Sequence, residues 1–246
     1  MSLNQGIDQP TAPTLFSTES RATTMTSSLD IPPGYHRAIR FGANWSLITS
    51  PYMILYLILV FAVGLNESAG VGQVLEFAGT SPVPFGATIL LDGLFHVLAF
   101  VTFVTLFAVL RWRWPVRASL ILVCGAWQMI VGFTKALSSF FTFTSLGAAY
   151  VAGDAALRAT LVAVATGADG LRQALQQMDS FGVAVIWVII ALLPRDSGLP
   201  RSIRWLSWIL AFALLGPDPG FLLVILLGPV WAVLVGLWLK RLLAAK

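Results

Sequence analysis

The sequence predicts an all-α integral membrane protein with six transmembrane helices, and three observations support this prediction. The first is composition: 57% of the 246 residues are hydrophobic, 11% are charged, and mean hydropathy is +0.84. A soluble domain carries about 25% charged residues, so this chain cannot cover itself with a surface that water tolerates. The other two observations are the lengths of the apolar segments and the placement of Lys and Arg.

Six apolar segments are long enough, or nearly long enough, to cross a bilayer. A transmembrane helix needs about 20 mainly apolar residues to cross about 30 Å of hydrocarbon. The predicted spans are residues 44–65, 86–110, 117–141, 179–194, 203–216 and 220–240. The fourth is short, and we expect it to extend backward into the preceding helical stretch. The fifth is also short, but the side chain of Arg204 can reach toward the lipid headgroups.

The basic residues predict the orientation of the spans. With six spans, one side of the membrane receives Arg37, Arg40, Arg111, Arg113, Arg117, Arg195, Arg201, Arg204, Lys240, Arg241 and Lys246. The opposite side receives Arg158 and Arg172. The positive-inside rule then places both termini in the cytoplasm and predicts a multi-pass protein of the inner cell membrane. This topology accounts for the net charge of +4, so we predict no nucleic-acid partner.

Residues 1–35 are predicted to be a polar, extended tail that precedes the transmembrane domain of residues 36–246. The tail is rich in Ser, Thr and Pro and shows no helical or strand periodicity. It lacks a basic n-region followed by an apolar h-region, so it does not have the pattern of a cleavable signal peptide. Two interpretations stay open: a solvated tail, or a segment that becomes ordered on a partner.

A further amphipathic helix, residues 155–178, is predicted on the external side between spans three and four. Asp154 is a suitable N-cap, and apolar residues follow in steps of four and three at Leu157, Leu161, Val164, Ala168, Leu171, Leu175 and Met178. This helix could lie on the membrane surface, run directly into span four, or pack on a partner subunit. We predict that Leu157, Leu161, Leu171 and Leu175 are covered by lipid or protein. Water is expected around Arg158, Arg172 and Gln173.

Polar residues inside spans two and three predict an intramembrane salt bridge. In this interpretation, Asp92 is the only carboxylate and Lys135 the only lysine within the predicted spans. Asp92 lies 22 residues before Trp114, at the middle of the connecting turn, and Lys135 lies 21 residues after it. Equal counts in two antiparallel helices mean equal depth, because each residue rises about 1.5 Å. Since a charge within a span usually pairs, we predict an Asp92–Lys135 ion pair.

His96 and Gln128 extend this pair into a predicted intramembrane polar cluster of Asp92, His96, Gln128 and Lys135. His96 is one helical turn from Asp92, and Gln128 is two turns from Lys135 on the same face. The cluster could hold the two helices together, since interhelical polar contacts contribute about 0.6 kcal/mol each in lipid. It could instead form a proton or ion route. Against that role, a lysine partner would hold the single carboxylate ionised, whereas a relay needs a group that changes protonation.

A third possibility is that His96 binds a haem or a chlorophyll-type pigment. The other histidine, His36, precedes the first span, which excludes bis-histidine haem ligation. Asp92 and His96 alone are too few ligands for a catalytic metal. We therefore predict no metal site and no cofactor.

The sequence contains no recognisable catalytic motif. It has no G-x-S-x-G, Walker loop, C-x-x-C or H-E-x-x-H pattern, so we predict that the protein is not an enzyme. The predicted function is an accessory, structural or assembly subunit of a larger membrane complex, with the bilayer and other membrane proteins as partners. The alternatives are a small proton- or ion-coupled transporter that uses Asp92, His96 and Lys135, and a cofactor-binding subunit that uses His96.

Residues 150–246 resemble an uncharacterised family of bacterial multi-span membrane proteins. Three features carry the resemblance: the external helix DAALRATLVAVATGADGLRQALQQMDSFG, a short basic loop with LPRSIRWLSW, and a final hairpin. The resemblance implies the order of the helices and agrees with six spans. It implies no activity and no functional residue.

Overall fold

A computed structural model describes residues 31–63, 70–215 and 219–244, so residues 1–30 of the predicted tail lie outside the described part. The regular secondary structure is helical. Its α-helices are α1 (His36–Val63), α2 (Val71–Thr80), α3 (Pro82–Leu110), α4 (Pro115–Ala152), α5 (Ala155–Ala191), α6 (Arg201–Leu215) and α7 (Pro219–Ala244). Short 3-10 turns at Pro33–Tyr35 and Arg195–Ser197 precede α1 and α6.

Five of the described helices are long and apolar enough to cross a membrane. Their apolar stretches are Pro33–Val60, Pro82–Leu110, Pro115–Ala152, Ala155–Ala191 and Leu223–Ala244. This confirms the prediction of an all-α protein built on membrane-length helices. Helix α6 does not reach the same length: its 15 residues rise about 22 Å. The count of six spans therefore stays a prediction.

Helix α5 corrects the predicted boundary between an external helix and a fourth span. The two form one continuous helix of 37 residues. The predicted external helix therefore runs directly into the predicted fourth span, which was one of the three arrangements left open. The carboxylate of Asp154 accepts a hydrogen bond from the Leu157 amide at 2.8 Å and caps the helix as predicted. No proline follows in α5, and glycines at 167 and 170 lower helix stability without removing a backbone hydrogen bond.

Helix α2 was not predicted, because its 10 residues are too few for a span. It packs against the ends of α4 and α5 that lie farthest from the α3–α4 turn. The chains approach closely there: a Cβ atom on Gly79 would lie 2.2 Å from the Gly147 carbonyl oxygen. A second apolar core forms around this contact from Leu75, Ala78, Phe85, Phe143, Leu161 and Ala165.

The main core lies between the membrane-length helices. Helix α3 packs against α1 and α4, α5 packs against α4 and α6, and α7 closes the bundle against α1 and α6. A buried hydrogen bond of 2.8 Å from the Trp231 indole to the Ser207 hydroxyl joins α6 and α7. The largest side chains that are fully buried here include Ile39, Leu106, Leu110, Ile121, Ile186, Ile190, Ile203, Leu210 and Leu239.

One end of the bundle, called the basic end below, gathers residues 31–40, 111–117, 193–204 and 238–244. Arg113 pairs with Asp196 at 2.8 Å and joins the α3–α4 turn to the α5–α6 loop. Trp238 of α7 donates a hydrogen bond of 2.9 Å to the Gly198 carbonyl. Gly198 adopts a positive φ of 68°, which favours glycine at this turn. The segments that carry most of the Lys and Arg residues therefore gather at one end of the bundle, as the sequence predicted. The side of the membrane that this end faces stays a prediction.

Candidate functional site

The predicted ion pair between α3 and α4 is present. The Lys135 ammonium lies 2.8 Å from an Asp92 carboxylate oxygen, and the two side chains are 8% and 17% exposed. A tight turn joins the two antiparallel helices, so equal counts from that turn bring the residues level. Gly93 lets the helices approach at this height, because a Cβ atom there would lie only 3.0 Å from that of Ala136. The ion pair is therefore buried where α3 and α4 contact each other, and it joins the two helices.

Two side chains from other helices complete the coordination of this pair. The Tyr56 hydroxyl of α1 donates to Asp92 at 3.3 Å. The Lys135 ammonium donates to the Gln176 side-chain carbonyl of α5 at 2.7 Å. Sequence reasoning missed both residues, because neither is charged and the relative rotation of α1 and α5 was unknown. The ion pair thus links four helices, where the prediction linked two.

His96 and Gln128 are in contact below the ion pair, as the face pattern predicted. Gln128 and the Nδ1 atom of His96 form a hydrogen bond, and His96 is 3% exposed. The other ring nitrogen lies 3.9 Å from Asp92. Gly132 makes room for the imidazole, since a Cβ atom there would lie 2.3 Å from the ring. The four predicted residues form one contiguous cluster.

Asp179 of α5 is a second buried carboxylate, and treating Asp92 as the sole carboxylate within the spans was wrong. Asp179 is 5% exposed, and its Oδ1 atom lies 3.4 Å from the Nδ1 atom of His96. In the sequence this residue stood at the first position of the predicted fourth span, where a polar residue is ordinary. Because α5 continues without a break, Asp179 enters the bundle and faces His96.

Three polar atoms of the cluster are buried without a hydrogen-bond partner among the described residues. They are the Nε2 atom of His96, the Oε1 atom of Gln128 and the Oδ1 atom of Asp179. Most buried polar groups in proteins are paired, so such a group needs an explanation. A proton held between Asp179 and the Nδ1 atom of His96 would satisfy the Oδ1 atom of Asp179.

The cost of a buried charge constrains the protonation of Asp179 and His96. Asp92 and Lys135 neutralise each other, which leaves Asp179 beside His96. An unpaired charge is costly in a buried, membrane-length bundle. Asp179 and His96 avoid one only if they share a single extra proton, either as carboxylic acid with imidazole or as carboxylate with imidazolium. The arrangement can therefore hold one proton at either of two sites.

The cluster does not have the geometry of a metal or haem site. Among the described residues, no group of three His, Cys, Asp or Glu side chains is placed to hold a metal ion. One edge of the His96 ring faces Gln128 and Asp179, the other faces Asp92, and the ring packs on Gly132. Each of these contacts occupies a position around the ring that an axial haem ligand would need to keep open.

The fold and the site together define the class of this chain: it is an α-helical membrane protein with a buried cluster of charged side chains. No protein family, curated protein or solved structure matches it. The resemblance of residues 150–246 to a bacterial membrane-protein family stays a prediction.

Proposed function

We propose that the protein is a non-catalytic accessory subunit of a larger membrane complex, and that it binds another subunit through the outer half of α5. The observation that carries this proposal is an exposed apolar stripe on that helix. Leu157, Val164, Leu171 and Met178 recur at every seventh residue, and each is between 43% and 59% exposed. They are called the α5 stripe below.

The proposed topology has the basic end in the cytoplasm, both termini on that side, and six spans in the inner cell membrane. The positive-inside rule supports this orientation. Contacts of Trp231 with Ser207 and of Trp238 with Gly198 set α6 antiparallel to α7. Helix α6 then runs outward from the basic end and α7 returns to it.

A reporter-fusion experiment tests this topology. A reporter fused after Lys246 is expected to be active only as a cytoplasmic marker. One inserted at Gly153, in the corner between α4 and α5, is expected to be active only as an external marker. Alkaline phosphatase and green fluorescent protein fusions measure the two sides. Identical locations for the two positions would exclude the proposed topology.

In the proposed topology, the outer ends of α4 and α5 extend beyond the hydrocarbon. The 38 residues of α4 span about 57 Å at about 1.5 Å per residue. Even at a tilt of about 40°, the helix covers about 44 Å along the membrane normal, against about 30 Å of hydrocarbon. Lys135 stands about 30 Å above the start of α4. The ion pair therefore lies near the outer limit of the hydrocarbon, and the α5 stripe begins at this level and extends outward.

Lipid cannot cover the whole α5 stripe, which rises about 32 Å from Met178 to Leu157. The apolar residues of the predicted helix include a second row, which packs against the rest of the bundle. In this row Leu161 is buried and Leu175 is half-buried. Gly167 lies beside the stripe, and nothing stands within 4 Å of a Cβ atom built there. A seven-residue apolar repeat with a small residue beside it is suited to packing against another helix. The proposed occupant is therefore an apolar helix of another membrane protein.

Charged substitutions in the α5 stripe test this interaction. Val164→Glu and Leu171→Glu are each expected to remove a stoichiometric partner that copurifies with the wild-type protein from native membranes, because the new charge would be buried without a counterion. Thr166→Glu is the matched control, since Thr166 is exposed on another side of the same helix. We expect this control to retain the partner.

A photo-crosslinking residue at position 164 identifies what covers the stripe. A crosslinked product that contains a different membrane protein supports the proposal. A product of twice the chain mass would instead show a homodimer, and crosslinks to lipid alone would remove the basis for a partner subunit.

A small proton-coupled transporter is the second candidate, and Asp179 favours it. The objection to a proton route was that a single carboxylate, held ionised by lysine, cannot change protonation. Asp179 supplies a second carboxylate 3.4 Å from an imidazole nitrogen, and the one lysine ion pair among the described residues is the one between Lys135 and Asp92. A carboxyl–imidazole pair that shares one proton is a group that can accept and release it.

A further inference from the structure

A groove of about 960 Å³ lies along the outward face of α6, between the end of α5 and the start of α7. It is separate from the charged cluster and from the α5 stripe. At the basic end its mouth is lined by Arg195, Arg201 and Arg204. Farther along, its wall is apolar. The groove thus changes from cationic to apolar along its length.

The three arginines at the mouth have no acidic partner among the described residues. Asp196, the acidic residue within this loop, is already paired with Arg113 at 2.8 Å. Arg204 donates one hydrogen bond of 3.3 Å to the Leu193 carbonyl, while its buried Nε atom has no partner within the described part of the chain. Helix α6 also begins here, so the positive end of its dipole adds to the field. The mouth therefore has the positive charge and the free hydrogen-bond donors that would bind an anion with several acceptor oxygens.

The apolar wall of the groove continues from this mouth along α6. Trp205, Ile209 and Phe212 are exposed to the surroundings, and the rings of Trp208 and Phe212 stack with centroids 5.5 Å apart. The distance along the helix from Arg201 to Phe212 is about 16 Å. A chain of about a dozen methylene groups would lie along such a surface.

We propose that this groove binds an anionic phospholipid, whose phosphate contacts the three arginines and whose acyl chain lies along Trp208 and Phe212. Guanidinium groups bind phosphate oxygens through paired hydrogen bonds. Basic pockets between helices at the cytoplasmic side of a membrane suit anionic headgroups. Helix α6 rises only about 22 Å, so a lipid in the groove also covers the apolar surface that a short helix leaves between its longer neighbours. The site is independent of the proposed partner subunit.

Lipid titration of the full-length protein tests this site. The delipidated protein in detergent is titrated with phosphatidylglycerol or phosphatidylcholine, and bound lipid is counted by native mass spectrometry. We expect phosphatidylglycerol to bind more tightly. Arg195→Gln with Arg201→Gln should weaken its binding about 25-fold, since each arginine near a headgroup contributes about fivefold. Arg204 is left intact because it also bonds to the chain.

Lys240→Gln with Arg241→Gln is the matched control, because it removes the same charge from exposed positions at the same end. We expect the control to bind phosphatidylglycerol as the wild-type protein does, and equal weakening in both variants would overturn the proposal. Free glycerol phosphate separates the two sources of a phosphate group. We expect no displacement of the lipid at equal concentration, and displacement would overturn the lipid assignment. Phe212→Ser should also weaken binding, and thermal unfolding of each variant checks that it is folded.

Discussion

Asp92→Asn and Lys135→Met are each expected to lower the folded yield and the Tm in detergent, while the double variant recovers most of the loss. The two groups lie 2.8 Å apart and are largely buried. Removing one of them leaves a buried charge without its partner, which costs about 3–5 kcal/mol in proteins. Removing both leaves no net charge to bury. Size-exclusion chromatography and thermal unfolding measure the effect.

The exposed ion pair at the basic end supplies the control for this experiment. Arg113 and Asp196 are also 2.8 Å apart, but both are exposed. Arg113→Gln and Asp196→Asn should each change stability by about 1 kcal/mol or less, because water screens the charge that remains. If the double variant at positions 92 and 135 unfolds as readily as the worse single variant, the two charges do not compensate each other and the burial argument fails.

Asp179→Asn is expected to fold almost as well as the wild-type protein, in contrast to Asp92→Asn. The shared-proton argument makes the pair of Asp179 and His96 neutral overall. An amide has nearly the shape of a carboxylic acid, so the substitution leaves a neutral imidazole and no unpaired charge. Asp179→Leu should be more costly, by about 1–3 kcal/mol, because the polar atoms around it then lose a partner. Thermal unfolding of the three variants tests this order.

The same variant separates the two candidate functions. Proton entry into liposomes that contain the purified protein is followed with an enclosed pH-sensitive dye. Transport predicts proton flux in the wild-type protein and its loss in a folded Asp179→Asn protein. An accessory subunit predicts no flux in either. Asp169→Asn is the control, since Asp169 lies on the same helix in an ion pair with Arg172. If Asp179→Asn unfolds as severely as Asp92→Asn, the substitution leaves an uncompensated buried charge, and the argument that Asp179 and His96 form a neutral pair is wrong.

The Asp92–Lys135 contact could be predicted because it depends on one local fact. Two antiparallel helices joined by a short turn keep residues level when they are equally distant from that turn. Gln128 and His96 followed from helical periodicity on the same two helices. The contribution of α5 could not be obtained in this way, because its rotation and height relative to α3 depend on packing across the whole bundle. Tyr56, Gln176 and Asp179 were therefore missed.

The helix boundaries were less predictable than the helices themselves. Asp169, Arg172 and Asp179 interrupt the hydropathy of α5, so the sequence left open whether the external helix and the fourth span are one helix or two. These residues do not interrupt the helix: Asp169 pairs with Arg172 at 2.7 Å, and Asp179 lies 3.4 Å from His96. Helix α2 gave a weak signal for the opposite reason. Its apolar residues form a pattern too short for a span, and its burial depends on the extended ends of α4 and α5.

The corner between α4 and α5 has a mechanical consequence. Arg158 donates hydrogen bonds of 3.0 to 3.1 Å to the carbonyls of Tyr150, Val151 and Gly153, which ties the start of α5 to the end of α4. From that fixed corner α5 runs unbroken past Asp179. Because the helix has no break, a rotation of the corner and α5 as one unit would also turn the Asp179 carboxylate relative to the His96 imidazole. A partner that rotates the outer part of α5 would therefore change the distance between these two groups.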